Sequence, residues 1–153
     1  MATERFFSDV HEIDVSEPTA AAPPSAATRA VDYFVERDGV RFAGMHLLAD
    51  FWQAEGLDDA DHVERALREA AAACDATLLH VHLHAFEPSG GVSGVAVLAE
   101  SHISIHTWPE RAFAALDLFM CGRCNPYDAL PALRRAFRPA SVQLHESKRG
   151  LLP

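Results

Sequence analysis

The sequence has little positive charge relative to its acidic residues. Its 153 residues include 13 Lys and Arg against 22 Asp and Glu, a formal net charge of −9. Nucleic-acid binding depends on clustered basic side chains that neutralise phosphates, so this composition argues against it. An acidic protein is compatible with a cationic substrate, although net charge alone does not define a site.

Long apolar runs and cysteines are also scarce. No run approaches the roughly 20 apolar residues of a membrane-spanning helix. The first residues, MATERFFSDVHEIDVSE, are acidic and lack the apolar core of a signal peptide, so we expect none. The chain has three cysteines, Cys74, Cys121 and Cys124. An odd, small number of cysteines without a secretory segment is typical of a reducing compartment, so we expect a cytoplasmic protein.

Composition divides the chain near residue 30. Residues 1–29 are rich in Ala, Pro, Ser and Thr, and such a segment cannot bury enough apolar surface to fold by itself. We therefore predict a mobile N-terminal extension at 1–29. The remaining residues, 30–153, are enough for one domain with a substantial core.

Apolar periodicity predicts strands joined by short turns, with two helices between them. The predicted helices are Asp58–Cys74 and Asn125–Phe137, the second with Asp128 as its N-cap. The predicted strands are 31–37, 40–51, Thr77–Phe86, Val92–Ala99, His102–Thr107, Ala112–Met120 and Val142–Glu146. Short turns favour antiparallel neighbours, so we predict an α+β two-layer sandwich with helices on one face of a mostly antiparallel sheet.

Residues 91–122, GVSGVAVLAESHISIHTWPERAFAALDLFMCG, distribute Ser, His, Glu and Cys over adjoining strands. We interpret GVSG at 91–94 as a turn, followed by strands on either side of Glu100-Ser101. The motifs GVSG, ESH at 100–102, IHTWPE at 105–110 and the Cys-Gly pair at 121–122 together resemble prokaryotic S-adenosylmethionine decarboxylases. These are pyruvoyl enzymes that make their own cofactor, and the wider resemblance runs from about Gly44 to Glu146.

The resemblance implies that the chain cleaves itself between Glu100 and Ser101. Ser101 would become the pyruvoyl group, with His106 as the processing base and Ser93 assisting cleavage. Ser101 and His106 are five residues apart, so a turn between them would be needed for their side chains to face each other.

The resemblance also implies roles in decarboxylation. The pyruvoyl cofactor would form a Schiff base with the substrate amine and act as an electron sink, and Cys121 would return a proton to the α-carbon. Phe86 and His106 would enclose the adenine, and Glu110, in the same motif as Trp108, would bind the ribose hydroxyls. The substrate would be S-adenosylmethionine, decarboxylated to the aminopropyl donor of spermidine and polyamine synthesis, by a homodimer with sites at or near its interface.

Three differences from the family pattern leave the substrate open. The turn between Phe86 and GVSG is one residue longer, Arg111 replaces an aromatic residue, and the RCNPY loop after Cys-Gly is one residue shorter. A same-fold arginine or ornithine decarboxylase is therefore the alternative.

A metal protein is the alternative from another class. His80, His82 and His84 share one strand face, and imidazoles at this spacing can bind zinc or another transition metal. Cys121 and Cys124 form a lone CxxC without a second pair. We favour a polar, half-exposed strand face and no metal. A non-catalytic partner subunit is a third reading, weakened because the serine, histidine and cysteine of the motifs are all present.

Overall fold

The computed structural model of the protein describes residues 33–152. The predicted extension at 1–29 lies outside them, and the division near residue 30 stays a prediction. The strands are β1 Val35–Arg37, β2 Val40–Phe42, β3 Gly44–Trp52, β4 Leu78–Ala85, β5 Val92–Leu98, β6 Ser101–Trp108, β7 Phe113–Cys121 and β8 Ser141–Arg149. The helices are α1 Ala60–Ala73 and α2 Leu130–Phe137, with short 3-10 helices at Pro109–Arg111 and Pro126–Ala129.

Six strands form one antiparallel sheet in the order β4-β5-β6-β7-β3-β8, and β1 and β2 form a separate hairpin. Both helices pack on one face, where their apolar side chains join those of the strands in a single core. The predicted α+β sandwich is confirmed. Among residues 33–152, no helix combines the length and apolar character that crossing a bilayer requires.

Asp38 and Gly39 form the turn that joins β1 to β2, and both residues have the positive φ that a tight hairpin turn needs. The long strand expected at 40–51 is instead two strands that separate at Ala43. The next residue, Gly44, lies so close to β7 that a Cβ there would be 2.7 Å from the Phe119 ring.

Helix α1 begins at Ala60, two residues later than predicted. The Asp59 carboxylate accepts a hydrogen bond from the His62 N–H at 3.0 Å, which makes it the N-cap. The apolar side chains along one side of α1 are buried, and Val63 and Leu67 are fully enclosed. Burial of each such side chain stabilises the fold by about 1.5–3 kcal/mol.

The second predicted helix is wrong at its start. A 3-10 helix capped by Asn125 occupies Pro126–Ala129, and α2 begins only at Leu130, so Asp128 is not its N-cap. A continuous helix from Asn125 would put Pro131 where its ring opposes a helical hydrogen bond. In the first turn of α2 its missing N–H has no intrahelical partner to lose. Leu133 and Phe137 of α2 are fully buried.

Strand β4 departs from strict alternation. The register shifts between Leu78 and His80, where β4 contains a bulge against β5. Leu78 therefore packs against the core, and Leu79 is 63% exposed. Ala85 is exposed at the end of the strand.

The face of the sheet opposite the helices is called the open face here. It carries the side chains that alternate with the core positions of β6 and β7. Four of its exposed apolar residues are about 40% accessible: Leu48, Trp52, Val97 and Trp108.

Candidate active site

The predicted site residues lie at two ends of strand β6. The end near the β5–β6 loop, called the turn end, contains Glu100 and Ser101. The other, called the cleft end, contains His106. No turn interrupts β6, which pairs continuously with β5 and β7. Five residues of strand separate the Cα atoms of Ser101 and His106 by roughly 17 Å, and an odd spacing points their side chains to opposite faces. Within one protomer these two residues do not face each other.

At the turn end, Ala99 and Glu100 form a two-residue loop between the paired residues Leu98 and Ser101. Glu100 has a φ of 59°, in the left-handed region. This conformation costs a residue with a Cβ about 1–2 kcal/mol. Backbone strain of this kind often lies at sites of chemistry.

The Ser101 hydroxyl is fixed at the edge of the core. Its side chain is only 8% exposed, and its Oγ accepts a hydrogen bond from the Cys121 N–H at 3.1 Å. Because this bond uses an Oγ lone pair, the hydroxyl proton remains available for transfer. Ser101 is therefore held beside the strained peptide that precedes it.

Cys121, the last residue of β7, carries a protonated thiol. Burial is the largest cause that raises the pKa of this thiol, and the Glu100 carboxylate and Cys124 raise it further. Burial likewise raises the pKa of Cys124, although Arg123 opposes that effect. Cys74 is more deeply buried, and burial raises its pKa to about 12. All three thiols are free.

Tyr33 was not identified from the sequence. Its hydroxyl hydrogen-bonds the Glu100 carboxylate, and this bond and charge raise the Tyr33 pKa. Its carbonyl accepts a hydrogen bond from the Gly122 N–H at 3.0 Å. Tyr33, Glu100, Cys121 and Gly122 line a cavity of about 470 Å³. Tyr33 precedes the recognisable motifs, so only the folded chain brings it here.

The cleft end is a cavity of about 330 Å³. Its lining comes from the β4–β5 turn, β5, β6 and the following 3-10 helix. The lining residues are Phe86, Ser89, Gly91, Ser93, His106, Thr107, Trp108 and Glu110. The fold thus brings together all the predicted substrate-binding residues with His106 and Ser93, and leaves Ser101 and Cys121 outside this cavity.

Ser93 and His106 are paired across β5 and β6, and Ser93 Oγ lies 2.7 Å from His106 Nδ1. This hydrogen bond orients the imidazole at the cleft. The GVSG segment is not the predicted turn, because Val92–Gly94 belong to β5. Gly94 is needed there for close strand contact, since a Cβ would lie 2.3 Å from the His82 carbonyl oxygen.

Thr107 anchors the start of β5, a role the sequence did not indicate. Its buried hydroxyl accepts from the Val92 N–H at 2.7 Å and donates to the Leu57 carbonyl at 2.8 Å. Val92, the residue before Ser93, is thereby held against Thr107, which lines the cleft.

Aromatic rings continue from the cleft across the open face. Trp108 stacks on Phe113 with 5.3 Å between ring centroids, and Phe113 stacks on Trp52 at 4.3 Å. At the opposite side of the cleft, Phe86 contacts His84 edge to face at 4.6 Å. The cleft therefore opens onto an aromatic surface.

Arg111, which motivated the alternative substrates, does not line the cleft. It ends the 3-10 helix Pro109–Arg111 and is exposed, whereas Glu110 lines the cavity. Arg111 is therefore not among the residues that line this cavity.

A polar cluster on the open face also went unpredicted. Ser104 Oγ donates to Asp117 at 3.2 Å. His46 Nε2 lies 3.4 Å from the same carboxylate, within ion-pair range, but is too poorly aligned to form a hydrogen bond. Burial and the neighbouring His46 lower the pKa of His102, while Asp117 opposes them.

The three histidines of β4, His80, His82 and His84, are exposed along an edge strand. Over residues 33–152, no group of three or more His, Cys, Asp or Glu side chains is arranged to hold a metal ion. The histidine spacing that suggested a metal site therefore lacks further ligands in this part of the chain.

Known proteins share most of the described chain. The profile described as S-adenosylmethionine decarboxylase matches residues 45–150. A relative named S-adenosylmethionine decarboxylase proenzyme, from Thermomicrobium roseum, is 44% identical over 110 residues, 71% of this chain and 95% of the relative. One of the same name from Methanococcus aeolicus is 47% identical over 114 residues, 72% and 97% of the two chains. The crystal structure of an adenosylmethionine decarboxylase from Aquifex aeolicus matches with a TM-score of 0.66 at 30% identity, covering 73% of this chain and 94% of that one.

Proposed function

The chain belongs to the S-adenosylmethionine decarboxylase family, and from this premise we propose that it decarboxylates S-adenosylmethionine after cleaving itself. The product would be the aminopropyl donor of spermidine and polyamine synthesis. One observation carries the proposal: a single cleft gathers Phe86, His106, Trp108 and Glu110, the residues expected to bind a nucleoside.

The cleft has the chemistry that an adenosyl group needs. Aromatic faces and the imidazole of His106 can stack on a purine, and the Glu110 carboxylate can accept bonds from vicinal ribose hydroxyls. The outward position of Arg111 removes the main objection to a sulfonium ligand. These features favour S-adenosylmethionine over arginine or ornithine.

Self-cleavage would begin at the turn end. Ser101 Oγ attacks the carbonyl carbon of Glu100, the peptide C–N bond breaks, and an ester replaces the amide. A base then removes the Ser101 α-proton, and the ester leaves as the new carboxylate at residue 100. The remaining dehydroalanine tautomerises to an imine, and water releases its nitrogen as ammonia. The left-handed Glu100 and the anchored Ser101 hydroxyl fit this sequence.

The products would be chains 1–100 and 101–153, the second beginning with a pyruvoyl group. When present, that group supplies an electron sink for loss of CO2. Cys121 is suited to return the proton to the α-carbon, because its raised pKa keeps the thiol protonated at neutral pH. His106, oriented by Ser93, is suited to serve as the processing base.

We propose further that the two ends of β6 meet between two copies of the chain. In one protomer Ser101 lies far from His106, so a base from a second copy would complete the processing site. The open face, with Leu48, Trp52, Val97 and Trp108 exposed, offers the apolar surface for that pairing. The resulting homodimer would hold two composite sites.

A decarboxylation assay on S-adenosylmethionine, arginine and ornithine tests the function. We expect CO2 release from S-adenosylmethionine alone, and a C-terminal fragment lighter by one ammonia than a serine-started peptide. Turnover of a basic amino acid without S-adenosylmethionine turnover would overturn the substrate but leave the cleavage chemistry intact. A wild-type chain that stays intact yet active would overturn the pyruvoyl mechanism.

A further inference from the structure

We propose that Tyr33 is a positioning residue for self-cleavage, holding the scissile turn in its reactive shape. The inference rests on the proposed cleavage between Glu100 and Ser101. The family model matches residues 45–150, and Tyr33 lies before that range.

The contacts around Tyr33 close a circuit through Glu100, Ser101, Cys121 and Gly122, called the contact ring. The Tyr33 hydroxyl binds the Glu100 carboxylate, and the next residue, Ser101, accepts from the Cys121 N–H through its Oγ. The following N–H along the chain, that of Gly122, donates to the Tyr33 carbonyl at 3.0 Å. Tyr33 thus ties the β5–β6 loop to the end of β7 at two points.

The contact ring restrains both partners of the cleavage reaction, Glu100 and Ser101. The bond to the Glu100 side chain restrains a residue whose backbone is already in the left-handed region. The bond to Gly122 restrains the strand end whose Cys121 N–H holds Ser101 Oγ. Intramolecular attack depends strongly on holding nucleophile and carbonyl in a near-attack geometry, so loosening this ring should slow it.

The aromatic ring of Tyr33 also packs against Gly122. A Cβ built on Gly122 would lie 3.6 Å from the Tyr33 ring, which is ordinary contact distance, so the tyrosine packs directly over this glycine. The Glu100 carboxylate raises the pKa of Tyr33, so the phenol remains a hydrogen-bond donor throughout the neutral pH range.

The test compares two tyrosine-to-phenylalanine variants of the full chain. Tyr33→Phe removes the hydroxyl bond to Glu100. Tyr127→Phe removes a chemically similar bond, from Tyr127 to Glu146 at 2.8 Å, outside the turn end. Each precursor is made by cell-free translation, and its conversion into two fragments is followed over time. We expect Tyr33→Phe to cleave roughly two- to tenfold more slowly than wild type, and Tyr127→Phe to cleave at the wild-type rate.

Two further measurements separate positioning from general damage. After full cleavage, Tyr33→Phe should lose a smaller factor in kcat than it loses in cleavage rate, because Glu100 is then a chain end and no longer part of the peptide bond that reacts. In a Glu100→Gln background, which offers only a neutral acceptor, Tyr33→Phe should slow cleavage less than it does in wild type.

The outcomes are distinct. If wild type and Tyr33→Phe cleave at the same rate, the role of Tyr33 is overturned and the proposed function still stands. Equal slowing in the wild-type and Glu100→Gln backgrounds overturns its action through Glu100. Slowing by Tyr127→Phe to the same extent would mean a general loss of structure. A wild-type chain that never cleaves overturns the proposed function itself.

Discussion

The turn end and the cleft end of β6 are built in different ways. At the turn end, backbone groups set the geometry: Glu100 is held at positive φ, and a main-chain N–H holds Ser101. At the cleft end, side chains from several elements converge on an open cavity, and Ser93 orients His106. The first arrangement suits a reaction that happens once within the chain, and the second suits reversible binding of a ligand.

The largest expected effect comes from removing Ser101, the proposed nucleophile, at the turn end. Ser101→Ala should remain a single chain and show no decarboxylation, because it lacks the hydroxyl that is proposed to attack the Glu100 carbonyl and to become the cofactor. Mass spectrometry of the purified protein and a CO2-release assay measure both effects. Ser104→Ala, on the same strand but on the open face, should still cleave. Cleavage of Ser101→Ala at the same peptide bond would contradict the assignment.

A change at Cys121 should separate the two reactions of the turn end. Cys121→Ala should still cleave but lose roughly 100-fold or more in kcat, because proton return to the substrate is slowed. Cys124→Ala is the matched control and should stay near wild type in steady-state kinetics. Equal loss in both variants would indicate a joint role of the two thiols instead.

At the cleft end, a loss of charge should affect binding more than cleavage. Glu110→Gln should raise KM for S-adenosylmethionine roughly tenfold, because charge-assisted bonds to the ribose hydroxyls are weakened. The neighbouring Arg111→Tyr should leave KM within about twofold, since Arg111 is exposed and does not line the cavity. If Arg111→Tyr instead creates S-adenosylmethionine turnover that wild type lacks, the arginine or ornithine alternative is supported.

The smallest effect concerns the open face between the two ends. Burial and His46 lower the pKa of His102, so folding favours its neutral form, although Asp117 opposes them. His102 therefore contributes stability above its ordinary pKa of about 6.5, and that stability is lost as pH falls below it. In an uncleaved Ser101→Ala background, the melting temperature should fall from pH 7.5 to pH 5.5.

Adding His102→Gln should flatten this decline in the same thermal melts. His80→Gln, a change on the exposed edge strand, should leave the decline as in the parent. A decline of equal steepness in the His102→Gln variant would remove His102 from the explanation.

The sequence predicted the candidate site residues at both ends of β6 but not how they are arranged in space. Period-2 alternation placed β4 to β7 nearly correctly, and the motifs named Ser93, His106 and Glu110 before the fold joined them in one cleft. Alternation also fixes which side chains share a face, yet Ser101 and His106 were expected to meet through a turn that β6 does not contain.

Other contacts depend on long-range packing that no local pattern encodes. Thr107 reaches Leu57 across the core, and Tyr33 reaches Glu100 from outside the motif region. The bulge that exposes Leu79 arises from the register of two strands rather than from either strand alone. The late start of α2 follows from the chemistry of Pro131, which fits the first turn of a helix but not its interior.

Co-expression of two inactive chains tests most directly whether the two ends of β6 meet across a dimer. Ser101→Ala keeps His106 but lacks the proposed nucleophile, and His106→Ala keeps Ser101 but lacks the proposed processing base. With different tags on the two chains, mixed dimers can be purified and each chain followed by mass spectrometry. A composite site predicts that the His106→Ala chain is cleaved only in mixed dimers, that the Ser101→Ala chain stays intact, and that part of the decarboxylase activity returns. A His106→Ala chain that stays intact in purified mixed dimers would contradict the composite site.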